Sequence, residues 1–122
     1  MYEGNYRRDE YSLEWASVAT TATMQAPSTD TEIDCRNAKK ILVQVDQIST
    51  TYAGADTDIN LITRSEVATT YDTVPLGSLS SLGSAACQSF SVAPGFGYMK
   101  LRVDNNSTSA KCAPKVIVQV TG

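Results

Sequence analysis

The chain has 122 residues, 42% hydrophobic and 19% charged, which suits one packed domain and excludes both disorder and supercharging. Ten Lys and Arg against 13 Asp and Glu leave a net charge of −3, which argues against a partner held through its phosphates. There is no histidine, so Ser-His-Asp triads, His-ligated zinc and imidazole bases are excluded together.

Residues 1–11 are charged, studded with aromatics and without periodicity. They read as an extended arm ahead of a domain over residues 12–122. In the arm Tyr2, Tyr6 and Tyr11, with Arg7 and Arg8, are candidate contacts to a neighbouring subunit, because Tyr buries area while keeping a polar handle. The arm lacks the apolar stretch of a signal peptide, and no run reaches the ~18 apolar residues of a membrane span. Synthesis in a cytoplasm and no membrane partner are therefore expected.

From Ser12 the texture turns to Thr, Val and Ala. Leu13, Trp15 and Val18 lead into a strand expected over 20–24 and ended by Pro27-Ser28-Thr29. Asp30, Glu32 and Asp34 then share one face of an extended segment. Two carboxylates at a suitable separation cleave glycosides, but alternating acids also keep an edge strand from acquiring a neighbour. With no other mark of a sugar-cleaving cleft, the edge reading is preferred. Asn37-Ala38 is a turn, and Ile41, Val43 and Val45 alternate with Leu42, Gln44 and Asp46 as a strand.

Residues 50–57 read as a loop. The run Asp56-Thr57-Asp58-Ile59-Asn60 is spaced like the opening of a calcium loop. Leu61 stands where that loop needs Gly, however, and Val67 where it needs a bidentate Glu, so a solvated loop running into a strand accounts for the same residues. Ile59, Leu61 and Thr63 form the next strand, with 66–71 expected to pair with it. Residues 75–86 are a Gly/Ser/Leu connector whose leucines at 76, 79 and 82 permit a short helical turn.

Phe90 and Val92 share a face of a short strand stopped by Pro94-Gly95, and Phe96 and Tyr98 place two aromatics at the hairpin that follows. Met99, Leu101 and Val103 alternate against Tyr98, Lys100, Arg102 and Asp104, an amphipathic strand with one wet face. On that face Tyr98, Lys100 and Arg102 are candidate contacts to an acidic surface of a partner subunit, with Asp30, Glu32 and Asp34 as the expected counterpart. Asn105 to Thr108 turn the chain, and Val116, Val118 and Val120 close it as a last strand.

Cys35, Cys87 and Cys112 are odd in number and widely spaced, without a C-x-x-C pair; small, half-buried apolar groups are expected. Residues 1–75 hold 12 acids and 6 bases, whereas 76–122 hold Asp104 and 4 bases. Interleaving of the two halves in one sandwich is expected to even out this asymmetry. Seven or eight short strands, frequent turn signals and no convincing helix predict a single antiparallel β-sandwich, jelly-roll-like, behind its N-terminal arm. No catalytic residue, metal site or cofactor motif is found, and an enzyme is not expected.

An acidic extended segment leads into EIDCRNAKKILVQVDQ, and SFSVAPGFGYMKLRVDNNST precedes the closing strand PKVIVQV. Over residues 30–121 this order resembles small β-sandwich structural proteins of tailed bacteriophages. The matching positions are Ile33-Asp34-Cys35-Arg36 and Tyr98 through Arg102 to Asn105 and Asn106, with Cys35 standing where the pattern tends to have an apolar residue. The resemblance implies a virion structural protein, most concretely a capsid decoration or cement subunit. It would bind the major capsid protein, form a homo-oligomer on the particle and take no nucleic acid. A tail or fibre component that contacts host glycans, and a carbohydrate-binding module, are the alternatives.

Overall fold

A computed structural model describes residues 8–48, 56–82 and 88–122. Its strands are β1 (Arg8–Glu14), β2 (Ile33–Asp34), β3 (Lys40–Gln47), β4 (Thr57–Arg64), β5 (Gly77–Leu82), β6 (Gln88–Val92), β7 (Tyr98–Asn105) and β8 (Lys115–Thr121). They form two four-stranded antiparallel sheets in the orders β1-β8-β3-β6 and β2-β7-β4-β5. The pairings nest: β1 with β8, β2 with β7, β3 with β6 and β4 with β5. That is a long hairpin rolled over on itself, the jelly-roll form of the expected sandwich. No helix forms among the described residues. The late strands β7 and β8 lie inside their sheets between earlier ones, so the acidic and basic halves of the sequence interleave as expected.

Period-two alternation builds the core. Ile41, Val43 and Val45 of β3 meet Val116, Val118 and Val120 of β8 on one inner face. Ile59 and Leu61 of β4 meet Leu101 and Val103 of β7 on the other, and all of these are buried. Each such side chain contributes about 1.5–3 kcal/mol by leaving water. Cys35 and Cys112 join this core fully buried, deeper than expected, and burial pushes the Cys112 thiol above its ordinary pKa. Cys87 lies outside the described residues.

Four expectations are corrected. The arm does not extend to residue 11, because Arg8–Tyr11 belong to β1 and pair in full register with β8 of the same chain. Tyr11 packs against this chain's own core rather than waiting for a neighbour, and residues 1–7, with Tyr2, Tyr6 and Arg7, lie outside the described residues. Residues 20–24 are not a strand. Thr21 and Met24 sit at φ 58° and 49°, a left-handed backbone that breaks extension, and Gln25 alone bridges to Val103. Residues 66–71 do not pair with β4; the connector supplies that partner instead, as β5. The small Ser and Gly side chains of that connector tolerate an edge position as readily as a turn. Finally, Thr57 belongs not to the expected 50–57 loop but to β4, where alternation turns Thr57 and Ile59 inward and Asp58 outward. The other elements fall where the alternation places them, including Asn37 in its turn at φ 63°.

Candidate functional site

The outer face of the second sheet gathers most of the charged side chains that the sequence marks. Tyr98, Lys100 and Arg102 project from β7 by parity, with Arg64 from the end of β4 directly opposite Tyr98. Beside β7 the chain from Gln25 to Ile33 is twice as long as the stretch of β7 it flanks, Met99 to Val103. The surplus arches outward and carries Asp30 and Glu32 back over the face. β2 is a two-residue edge strand, as the alternating acids led us to expect. Those acids do more than repel a neighbour.

The groups form a continuous ladder. Asp30 accepts from Arg102 at 2.9 and 3.2 Å and pairs with Lys100 at 3.4 Å. Lys100 stands 5.0 Å from the centroid of Tyr71, whose hydroxyl donates to Glu32 at 2.6 Å. Glu32 also accepts from Arg64, at 3.0 and 3.1 Å. The Arg64 guanidinium lies 4.0 Å over the Tyr98 ring and donates to the Ala68 carbonyl at 2.7 Å. Arg36 covers the same ring at 5.2 Å and closes the ladder on Asp34 at 2.8 Å. Cations over aromatic faces and fork-like Arg–carboxylate pairs are among the stronger surface contacts. Together they fasten the 26–36 arch and the 65–76 loop across β4 and β7.

Electrostatics follow the geometry. Partial burial alone would raise the Asp30 carboxyl, but the hydrogen bonds and charges of Arg102 and Lys100 outweigh it and hold the group below its usual range. Glu32 is lowered first by the Tyr71 hydroxyl and then by Arg64. The Tyr71 phenol is raised by its own burial and by donating to the Glu32 carboxylate. Arg36 is raised by Asp34. Every carboxylate here is committed to a base, which leaves no acid–base couple poised for glycoside cleavage. Among the described residues no group of three acids, thiols or imidazoles converges to hold a metal.

The structure thus brings Asp30, Glu32, Asp34, Tyr98, Lys100 and Arg102 together, but within one chain. Lys100 and Arg102, expected to face a partner's acids, meet Asp30 of the same molecule. Sequence reading missed Arg36, Arg64 and Tyr71. Arg64 carries a signal, since it shares its parity along β4 with outward Asp58, and Arg36 lies two residues from Asp34, in the turn that follows β2. Tyr71, in a loop without periodicity, carries none.

At the same end of the sandwich a cavity of about 500 Å³ opens between the 35–38 turn, the start of the 65–76 loop and the 94–97 turn. Its lining includes Arg36, Glu66, Val67 and one aromatic, Phe96. Gly95 turns the chain at φ 145°, and Gly97 lies so close under Glu66 that a Cβ would come 2.7 Å from its backbone nitrogen.

No protein-family model matches the chain, and no curated protein sequence matches it. Two similar solved structures come from a prophage and from a spore appendage. The SPBc2 prophage-derived protein YomS is similar at a TM-score of 0.44 and 13% identity, over 95% of this chain and 96% of that one. The disulfide-linked pili of Bacillus endospore appendages are similar at 0.39 and 15%, over 95% of this chain and 88% of that one. Similarities of this depth carry no inference about activity or partners.

Proposed function

We propose that the protein is a non-enzymatic structural subunit of a phage particle, most concretely a capsid decoration subunit seated on the major capsid protein. The observation that carries this reading is the ladder on the second sheet. The charged groups most available for chemistry are spent on one another, fastening two long loops across the sheet rather than surrounding an open cleft. A subunit of this kind acts by buried area and rigidity, which a cross-braced jelly roll supplies. Its modest negative charge suits the outside of a shell, where nothing draws it towards packaged DNA.

A glycan platform would set two or three aromatic faces at the loop end. The cavity offers Phe96 alone, so the tail-component and carbohydrate-binding readings stand second. The deciding experiment is mass spectrometry of particles purified from a host that carries the gene, with heads and tails separated. Recovery of the chain with the heads, at a copy number comparable to the major capsid protein, is the expected result. Recovery with tails only, or absence from particles, overturns the proposal.

A further inference from the structure

At the end where β4 and β6 finish, the molecule carries two opposite kinds of surface. On the side of the first sheet, Arg8, Lys39 and Lys40 line a groove of about 420 Å³ together with Leu42 and Thr121. Register assembles it: Arg8 and Lys40 stand on either side of Thr121, and the Lys39 amide donates to the Thr121 carbonyl at 2.7 Å. All three cations are exposed, and none forms an ion pair among the described residues. Glu10, the next outward carboxylate on β1, is engaged by Gln119. In a chain of net charge −3, three exposed cations in one groove, beside Gln119 and Gly122, favour an anionic occupant.

On the side of the second sheet, the 65–76 loop leaves β4 from this same end. It holds Glu66 and Asp72 and no base, and neither acid makes an ion pair among the described residues. It also holds Val67, Val74 and Leu76, exposed at 91%, 75% and 57%. These three are the exposed large hydrophobic residues of the described part of the chain. Single apolar residues on a surface are ordinary, but their concentration on one loop marks a contact surface. The loop is held in shape by Tyr71 on Glu32, by Arg64 on the Ala68 carbonyl and by the Asp72 amide on the Thr63 carbonyl, so little freedom remains to be lost on docking.

We infer that the occupant of the groove is the 65–76 loop of a second copy of this chain, and that the loop of the first copy fills the groove of the second. A two-fold interface requires one patch to hold both complementary halves, since residue i meets j and j meets i. This end holds both: a basic groove on one sheet and an acidic, apolar loop on the other. The inference deepens the structural-subunit reading and rests on it only in supposing that copies meet on a particle.

Sedimentation of the purified full chain at low and high salt tests the interface. The wild type forms a dimer that weakens with salt. Lys39→Glu with Lys40→Glu, and separately Glu66→Lys with Asp72→Lys, each weaken self-association by about tenfold or more, because like charges then face each other. An equimolar mixture of the two variants restores the dimer, since both contacts are again complementary. That recovery also shows that each variant is folded. A wild type that stays monomeric, variants that dimerise like the wild type, or a mixture that fails to recover overturns the inference. Head binding by the same variants separates the two proposals: a chain that dimerises but never joins heads sinks only the decoration reading, and a monomer that joins them sinks only the dimer.

Discussion

Arg64 and Tyr98 face each other across the β4–β7 ladder, with the guanidinium 4.0 Å above the ring centroid. The same guanidinium reaches Glu32 on the arch and Ala68 on the loop, so one side chain ties three segments that are distant in sequence. Arg64→Lys keeps the charge but loses the planar fork and the stacking, and the two are not interchangeable at such a site. We expect the variant to melt a few degrees below the wild type and to expose the 65–76 loop to limited proteolysis. A melt and a cleavage pattern identical to the wild type count against the ladder as a brace.

Charge reversal on β7 does more than alter a surface. Lys100 and Arg102 both serve Asp30, and Arg102 is only 15% exposed. Lys100→Glu with Arg102→Glu places three acids together and should cost about 1–2 kcal/mol in a urea titration. Adding Asp30→Lys restores opposite charges and recovers part of the loss. Equal stability of the double and triple variants would show that the pair contributes nothing.

Acid dependence follows from the lowered carboxyls. Asp30 and Glu32 sit below their ordinary values of 3.8 and 4.5, so the unfolded chain takes up protons first as the pH falls. The stability they supply is complete above those ordinary values and is lost as the pH drops through the lowered ones. Tyr71 works in the other direction. Its raised phenol contributes below the ordinary value of 10.0 and loses that contribution as the pH climbs beyond it. Melts of Asp30→Asn with Glu32→Gln should show a flatter acid limb than the wild type, and parallel acid limbs would refute the assignment.

Asn105 is a buried polar hub. It is 1% exposed, and its Nδ2 lies within 3.3 Å of the carbonyls of Val18, Ala19 and Ala110 while its Oδ1 accepts from the Ser107 amide. Asn105→Ala leaves these backbone groups without their partner and should cost about 3 kcal/mol. Asn105→Asp removes the donor and buries a charge, so it should cost more. Denaturant midpoints of the two variants check the order, and a fully stable Asn105→Ala would refute the hub.

Much of the fold was legible in the sequence because alternation is a local property. Ile41-Val43-Val45, Met99-Leu101-Val103 and Val116-Val118-Val120 each declare a strand and its inward face without knowledge of any neighbour. The candidate contacts Tyr98, Lys100 and Arg102 were legible by the same parity, as was the acidic edge at Asp30 to Asp34. β5 was not, because Gly77–Leu82 has the composition of a turn, and only the exposed edge of β4 makes it a strand. Residues 20–24 failed in the opposite way: their Thr-rich texture favours extension, but Thr21 and Met24 adopt left-handed backbone as the chain crosses from one sheet to the other.

The sequence by itself therefore determined the class of fold, the inward faces and the absence of histidine chemistry, all of which depend on residue type and near-neighbour spacing. Only the tertiary structure decided which charges meet. Asp30 and Arg102 are far apart along the chain, and nothing local distinguishes a partner in the same molecule from one in another. The nested pairing of β2 with β7 and of β4 with both β7 and β5 brings the arch, the loop and the strand to one face. Asp30 and Arg102 pair within the chain at no cost in association entropy, because the fold already holds them side by side.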